Sequence, residues 1–169
     1  MTLAEVNALP KERFVAALGG VFEHSPWVAE RVAGERPIVG VDALHAAMLS
    51  AVHGANDAEK LALIRAHPEL AGREASDGAL TADSATEQGR LGFTALSHDE
   101  FQRIAALNRR YREKFGIPCI VALRLHASRA TVLAEMERRT GSSRDAELAA
   151  ALEQIGHIAR GRLDKLVRP

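Results

Sequence analysis

The chain has 169 residues, and its 22 lysines and arginines equal its 22 aspartates and glutamates, so the formal net charge is zero. Such a chain has no overall field to attract nucleic acid or an anionic membrane, and a 4% share of aromatic residues argues against base-stacking surfaces. The length suits one domain with a real hydrophobic core. We therefore expect neither nucleic acid nor a membrane as a partner.

The cysteine content and the N-terminal residues indicate the cellular compartment. Cys119 is the single cysteine and lies in an apolar run, which favours a buried thiol in a reducing cytosol. Residues 1–5 lack the basic and apolar regions of a signal peptide, and no apolar stretch approaches membrane-spanning length. These features predict a cytoplasmic protein.

The first third of the chain shows helical spacing. Phe14, Leu18 and Phe22 are four residues apart and predict one apolar helix face. Asp42 and Asp57 each precede an apolar pattern of helical period, so each is the expected N-cap of a helix.

A helix end, a loop and a helix start follow one another between residues 67 and 92. Pro68 stops the first helix, because proline disfavours the α conformation at the preceding residue. Residues 71–83 are rich in glycine, aspartate and serine and predict a surface loop. High mobility of this loop would favour a lid. Ser84 and Glu87 fit a capping box, which predicts that the next helix opens at Ser84.

The pattern then stays helical with one exception. Ser97 and Glu100 fit a second capping box, and Gly116 is expected to close the helix that it opens. Residues 117–123 are the only β-like run. We interpret them as a buried extended connector, because Pro118 argues against a central strand and no partner strand is visible.

Two helices complete the predicted fold, one from Ser128 to about Thr140 and one from about Ser143 to Leu166. The second has a stripe that repeats every three or four residues, namely Leu148, Leu152, Ile155, Ala159, Arg162 and Leu166. The whole pattern predicts an all-α protein, a single compact domain of about seven to eight helices over residues 1–169.

His67 is the first candidate for chemistry. A histidine side chain titrates at about pH 6.5 in peptides, which suits general acid/base catalysis. Its position at a helix end also gives access to a cleft. A histidine at a helix C-terminus also has a structural explanation, since a cation is favoured there. The pattern alone leaves both explanations open.

Glu87 and Arg162 have structural explanations of their own. Capping alone would account for Glu87, whereas a functional carboxylate would orient or deprotonate a ligand beside the helix N-terminus. Arg162 lies on the apolar stripe of the last helix, where its guanidinium either reaches water at the helix end or meets a carboxylate in a pocket.

Motifs for metal or cofactor chemistry are not recognisable. The other six histidines show no close ligand pairing, and the chain has no HExxH, Walker, GxGxxG or GxSxG motif. Cys119 as a nucleophile would need an activating base, and an apolar surround would raise its pKa instead. We therefore expect no metal.

Together these residues resemble the 2-oxo-4-hydroxy-4-carboxy-5-ureidoimidazoline (OHCU) decarboxylase family. The resemblance covers almost the whole chain, and its most specific features are the His-Pro pair, the Glu-Gln pair and an Asn-x-x-Tyr-x-x-Lys-Phe-Gly block. The matching segments are Phe14 to Trp27, Ile64 to Gly72, Ser84 to Gln88, Leu107 to Pro118 and, in support, Glu147 to Leu166.

The resemblance implies an all-α homodimer that uses no cofactor and decarboxylates OHCU to (S)-allantoin in the urate pathway. It implies that His67, Glu87 and Arg162 are catalytic, with Arg160 as the alternative arginine. The expected substrate-binding positions, some of which act through their backbone, are Pro68, Ser84, Gln88, Ile117, Cys119, Ile120 and Val121.

The sequence is also compatible with two other functions. One is a non-catalytic helical module for binding or dimerisation, in which His67 and Glu87 only cap helices. The other is a related enzyme that acts on a different ureido compound, such as ureidoglycolate. Formation of optically active allantoin from OHCU distinguishes all three.

Overall fold

The computed structural model describes all residues from 1 to 169. The chain folds into ten α-helices and two 3₁₀ helices, Ala33–Glu35 and Leu123–Leu125, and its one β contact is an isolated bridge between Thr2 and Arg168. The α-helices are α1 Leu3–Ala8, α2 Lys11–Leu18, α3 Trp27–Val32, α4 Val41–His53, α5 Asp57–Arg65, α6 Arg73–Ser76, α7 Ala82–Arg90, α8 His98–Phe115, α9 Arg129–Arg139 and α10 Arg144–Leu166.

The predicted all-α class is therefore confirmed. The helix count exceeds seven to eight because α1, α3 and α6 are short helices of six residues or fewer, for which the hydrophobic period gives little signal. No helix is both long and apolar enough to cross a membrane.

The chain divides into two compact units. The first comprises residues 1–66 and 156–169, and the second comprises residues 67–155. The assignment of residues 1–169 to a single domain stays a prediction.

In the first unit, α2 packs against α3, and α3 packs against α4. The predicted stripe of Phe14, Leu18 and Phe22 is buried, as are Leu44 and Met48 of α4. These apolar side chains form the core of the unit. Helix α2 ends at Leu18, however, so Phe22 lies beyond it, and the prediction of one helix face that carries all three residues is wrong for Phe22.

Two predicted N-caps in this unit are wrong by one or two residues. Helix α4 follows Gly40, and the Asp42 carboxylate in its first turn accepts a hydrogen bond from Arg160 instead. Helix α5 is capped by Asn56, whose side chain accepts from the amide of Glu59 at 2.9 Å while Glu59 reciprocates. The physical reason is that this capping box satisfies two amides, which Asp57 one position later could not do.

In the second unit, the predicted capping box of Ser84 and Glu87 is also wrong. Helix α7 begins at Ala82, and its N-cap is Thr81, whose hydroxyl accepts a hydrogen bond from the Ser84 amide at 3.3 Å. Thr81 offers a hydroxyl group to the free amides of the helix three residues before Ser84, so the helix is almost one turn longer than predicted. The predicted 71–83 loop is correspondingly shorter and contains α6.

The remaining predictions for this unit hold. Ser97 and Glu100 form the predicted capping box of α8, and Gly116 ends that helix in the left-handed conformation with φ of 71°. Ser128 caps α9. Residues 117–122 form no helix or strand and are the expected buried connector, whereas Leu123, its predicted last residue, begins a 3₁₀ helix.

The apolar stripe of α10 was only partly predicted. Ile155 and Ala159 are buried as expected, and Arg162 is buried as well, which excludes the water-exposed position for its guanidinium. Leu148 and Leu152 are only half-buried, and Leu166 is exposed. The buried face instead runs through Glu147, Ala151, Ile155, Ala159, Arg162 and Leu163. Two of these six residues are charged, which is why an apolar pattern did not locate the face.

Candidate functional site

The turn after α5 places His67 in a protected position. His67 is the first residue of the second unit and is 5% exposed, and Pro68 beside it is half-buried. Ala71, four residues on, has φ of 46°, a left-handed conformation that non-glycine residues seldom adopt. The turn from His67 to Ala71 is therefore a tight structure that its surroundings must hold in place.

Helix α7 presents a polar face made of three predicted site residues. Ser84, Glu87 and Gln88 are three and four residues apart, which places them on one side of a helix. Ser84 and Gln88 are only 4% and 3% exposed, and Glu87 is half-buried. Because Thr81 caps the helix, Glu87 is the sixth helical residue and is not needed as the partner of a cap.

Gln88 joins this helix to the turn after His67. The amide of Ala71 donates to Gln88 Oε1 at 2.9 Å, and Gln88 Nε2 donates to the carbonyl of Glu69 at 3.4 Å. Both ends of the Gln88 side chain are thus used to fix the turn. We predicted that Gln88 binds substrate, and that role stays a prediction.

Asn108 of α8 adds a contact from a second helix. Its Nδ2 donates to the carbonyl of Leu70 at 2.9 Å, so three consecutive residues after His67-Pro68 are held by side chains from α7 and α8. Asn108 is itself buried, and its Oδ1 has no hydrogen-bond partner. Asn108 was not among the predicted site residues. The signal that could have identified it is a polar residue on the otherwise apolar face of α8.

The connector contains four buried residues of the predicted site, Ile117, Cys119, Ile120 and Val121. Arg139 Nη1 donates to the carbonyl of Ile120 at 2.5 Å, and the amide of Ala122 donates to Gln154 Oε1 at 2.9 Å. The amides of Cys119, Ile120 and Val121 donate to no group of the chain. Buried amides are normally paired, so these three can serve a ligand that offers acceptor oxygens.

The thiol of Cys119 is not an activated nucleophile. Burial raises its pKa to about 12, which outweighs the opposing effect of the Arg139 charge. The thiol therefore stays protonated near neutral pH, in agreement with the apolar run in which it lies.

Arg162 is buried in the first unit. Its Nη1 lies 2.6 Å from Glu23 Oε2 and 3.3 Å from the carbonyl oxygen of Gly20, and both charged side chains are almost fully inaccessible. Arg160 is partly exposed and pairs with Asp42 and Asp164. Of the two candidate arginines, Arg162 is thus the buried one, held by a carboxylate.

The titratable side chains form no metal-binding group. No cluster of three or more histidine, cysteine, aspartate or glutamate side chains is arranged to hold a metal ion.

Comparisons with known proteins agree with this architecture. A family model described as OHCU decarboxylase matches residues 7–164. The 2-oxo-4-hydroxy-4-carboxy-5-ureidoimidazoline decarboxylase of Haloferax volcanii is 40% identical over 163 residues, which are 96% of this chain and 94% of the relative.

Two solved structures have a similar fold. A crystal structure of (S)-allantoin synthase matches with a TM-score of 0.80 and 30% identity, over 99% of this chain and 54% of that one. A crystal structure of OHCU decarboxylase in the presence of (S)-allantoin matches with a TM-score of 0.68 over 94% of this chain and 98% of that one. Its identity is 21%, so this second likeness supports the fold alone.

These matches place the chain among the all-α carboxy-lyases. Within that class, it belongs to the OHCU decarboxylase family.

Proposed function

We propose that this chain decarboxylates OHCU to (S)-allantoin in urate degradation, with His67 and Glu87 as its acid/base pair. One structural observation carries the proposal. The second unit contains the buried His67, in a turn that the Gln88 side chain holds. It also contains the polar face of α7 and the three buried amides of residues 119–121, which lack acceptors. The family match and the name of the (S)-allantoin synthase support the substrate and the product.

The reaction sets clear requirements for the protein. Decarboxylation breaks the bond between the carboxylate and a quaternary ring carbon, and carbon dioxide leaves. The electron pair of that bond moves into the adjacent C=N group, so that the carbon which held the carboxylate and its neighbour form an enol. The hydroxyl of this enol loses its proton and becomes a carbonyl. A proton must reach the neighbouring carbon, which carries the ureido group, on one face only, since spontaneous decay gives racemic allantoin. The enzyme needs hydrogen-bond donors along the ring and one proton donor at a fixed position.

His67 is the proposed proton donor. Histidine exchanges protons near neutral pH. His67 is buried in a turn that other side chains hold in place, so its imidazole has few alternative positions. Delivery from one fixed imidazole gives one enantiomer. The adjacent Pro68 keeps the backbone out of the helical conformation at this point.

Glu87 is the proposed partner on α7. Its carboxylate fixes or polarises the hydroxyl group or a ring nitrogen of the substrate and influences the charge of His67. Ser84 on the same face orients the ureido group or a ring edge. We assign Gln88 an indirect part in addition, because both ends of its side chain hold the turn that carries His67.

The amides of Cys119, Ile120 and Val121 are the proposed donors for the ring oxygens. Preorganised amides stabilise negative charge that develops during a reaction, and they need no rearrangement as it forms. Arg162 is proposed to bind the departing carboxylate or a ring oxygen, in keeping with its place in the family pattern. The proposal includes no cofactor.

We also propose that the enzyme is a cytoplasmic homodimer, which rests on the family resemblance and on the composition of the chain. Size-exclusion chromatography with light scattering tests the dimer. A mass of twice 18.2 kDa supports it, and a mass of 18.2 kDa at assay concentrations rejects it.

The test of the function generates OHCU from urate with urate oxidase and hydroxyisourate hydrolase, and follows circular dichroism. The purified chain is expected to yield optically active allantoin faster than the blank, and His67→Asn is expected to lose that acceleration. His98→Asn, at an exposed histidine of the same unit, is the matched control and should retain it. Racemic product at the blank rate would reject the proposal in favour of a binding module. Turnover of ureidoglycolate instead would support the alternative enzyme.

A further inference from the structure

A buried polar cluster joins three helices of the second unit. It consists of Tyr111 from α8, Arg139 from α9 and Glu147 from α10, each no more than 2% exposed. Arg139 Nε donates to Glu147 Oε2 at 2.8 Å, Arg139 Nη2 donates to the Tyr111 hydroxyl oxygen at 3.2 Å, and that hydroxyl donates to Glu147 Oε2. The three side chains thus form a closed ring of hydrogen bonds.

Stability alone is a weak explanation for such a cluster. Removing an arginine and a glutamate from water costs on the order of several kcal/mol per ion. Well-packed apolar side chains of similar volume often stabilise a core at least as well. A tyrosine that donates to the carboxylate adds polar burial, and its pKa is raised by burial and by that hydrogen bond, so the hydroxyl keeps its proton. A specific geometric task would account for the arrangement.

The remaining nitrogen of Arg139 holds the backbone of the connector. While Nε and Nη2 are held by Glu147 and Tyr111, Nη1 donates to the carbonyl oxygen of Ile120 at 2.5 Å. The guanidinium is planar and its donors are fixed relative to one another. Orienting two of its nitrogens therefore orients the third, and with it the Ile120 carbonyl.

The Ile120 carbonyl in turn sets the direction of an amide. The carbonyl of Ile120 and the N–H of Val121 belong to one planar trans peptide unit, so they point in opposite directions. An Ile120 carbonyl that is fixed towards Arg139 aims the Val121 N–H away from the cluster. The bond from the Ala122 amide to Gln154 Oε1 fixes the next peptide unit as well.

We infer that Arg139, held by Tyr111 and Glu147, is a positioning residue that aims the Val121 amide at the substrate. This inference rests on the proposed function, in which the amides of residues 119–121 bind oxygen atoms of the substrate. Arg139 acts through the connector and does not touch the substrate. Misplacement of a binding group by about 1 Å can cost on the order of a hundredfold in rate.

The test compares Arg139→Lys and Tyr111→Phe with wild-type enzyme in the OHCU assay. Arg139→Lys keeps the positive charge but removes the planar fork, and we expect roughly a tenfold or larger rise in KM together with loss of enantiomeric purity of the allantoin. Tyr111→Phe removes one hydroxyl, keeps the ring and should change the same two quantities by a smaller factor. Arg138→Lys, at the exposed neighbour that pairs with Glu135, is the matched control and should behave as wild type.

The two readouts separate positioning from a purely structural role. A cluster that only stabilises the fold would lower the melting temperature and the active fraction, but would leave KM and enantiomeric purity unchanged for the folded enzyme. That result in either variant overturns the inference, and Tyr111→Phe decides the matter if Arg139→Lys does not fold. Failure of the wild-type enzyme to make optically active allantoin is a different outcome, because it rejects the proposed function itself.

Discussion

The amide of Ala71 donates to Gln88 Oε1 at 2.9 Å, and this bond ties the turn after His67 to the helix that carries Ser84 and Glu87. Ala71 has φ of 46°, so its backbone conformation is unfavourable without such support. The proposed acid/base pair thus comes from two elements that a single glutamine side chain connects.

Replacement of Gln88 by leucine is expected to loosen this connection. The buried Ala71 amide would lose its acceptor, which should lower the free energy of unfolding by about 1–3 kcal/mol. The rate of (S)-allantoin formation should fall as well, because the turn that carries His67 gains freedom. Urea unfolding and the circular dichroism assay measure the two effects.

Two further variants make the Gln88 test specific. Gln88→Glu keeps an oxygen for the Ala71 amide and should retain more stability than the leucine variant. Gln102→Leu, at an exposed glutamine of α8, is the control, because it makes the same substitution without leaving a buried amide unpaired. If Gln88→Leu is as stable and as active as Gln102→Leu, the hydrogen bonds of Gln88 contribute neither to stability nor to activity.

Thr81 and Ser84 are expected to have separable roles. Thr81→Ala removes the N-cap of α7 and should destabilise the protein by about 1 kcal/mol, with activity preserved below the melting temperature. Ser84→Ala leaves that cap in place and, if Ser84 orients the substrate, should raise KM. Thermal unfolding and steady-state kinetics on both variants measure this. A rise in KM for Thr81→Ala with none for Ser84→Ala would contradict the assignment.

The misplaced start of α7 shows what limits a prediction from local pattern. Thr81 followed by Ser84, and Ser84 followed by Glu87, both present a hydroxyl residue three positions before a polar one. Either can cap a helix, and the choice depends on where the rest of the unit places the backbone. Thr94, Ser97 and Glu100 present the same two choices, and there the predicted Ser97 capping box is the one that forms, so the local pattern does not decide between them.

The site was predicted unevenly for a related reason. The helix end at Pro68 and the extended connector follow from local chemistry, so both could be read from the sequence. The contact of Arg139 with Ile120, and that of Asn108 with Leu70, join residues 19 and 38 positions apart. In the sequence, such a contact is indicated only by a polar residue on an otherwise apolar helix face. Arg139 is an example, because it lies on the same buried face of α9 as Val132 and Met136.

Stability is expected to fall at alkaline pH through Cys119. Burial raises the pKa of this thiol from 9.0 to about 12, so an unfolded chain releases the proton near pH 9 while the folded chain retains it. Between these values the folded state binds more protons, and the free energy of unfolding must decrease as pH rises. This contribution is fully present below about pH 9 and is lost at up to about 1.4 kcal/mol per pH unit above it.

Cys119→Ala isolates that effect. Chemical unfolding at several pH values from about 8 to 11 should give a shallower decline for the variant than for wild type. The raised pKa of Tyr111 acts in the same direction above its ordinary value of 10.0, and the Cys119 thiolate is one of the groups that raise it. The difference between the two slopes below about pH 10, before the tyrosine of the unfolded chain titrates, therefore reports the thiol alone. Equal slopes would show that the thiol ionises in the folded state as readily as in the unfolded one.

The acid/base proposal predicts an asymmetry between two glutamates of the same unit. Glu87→Gln keeps size and hydrogen bonding but removes the charge, and should lower kcat by about a hundredfold or more, since a positioned acid/base group contributes roughly 10²–10⁴-fold. Glu113→Gln, at an exposed position of α8, should leave kcat unchanged. A pH profile of kcat/KM sharpens the test: if Glu87 sets the charge of His67, the profile must shift in Glu87→Gln and stay in place in Glu113→Gln. An unshifted profile with near wild-type kcat would leave His67 as a catalyst that works without Glu87.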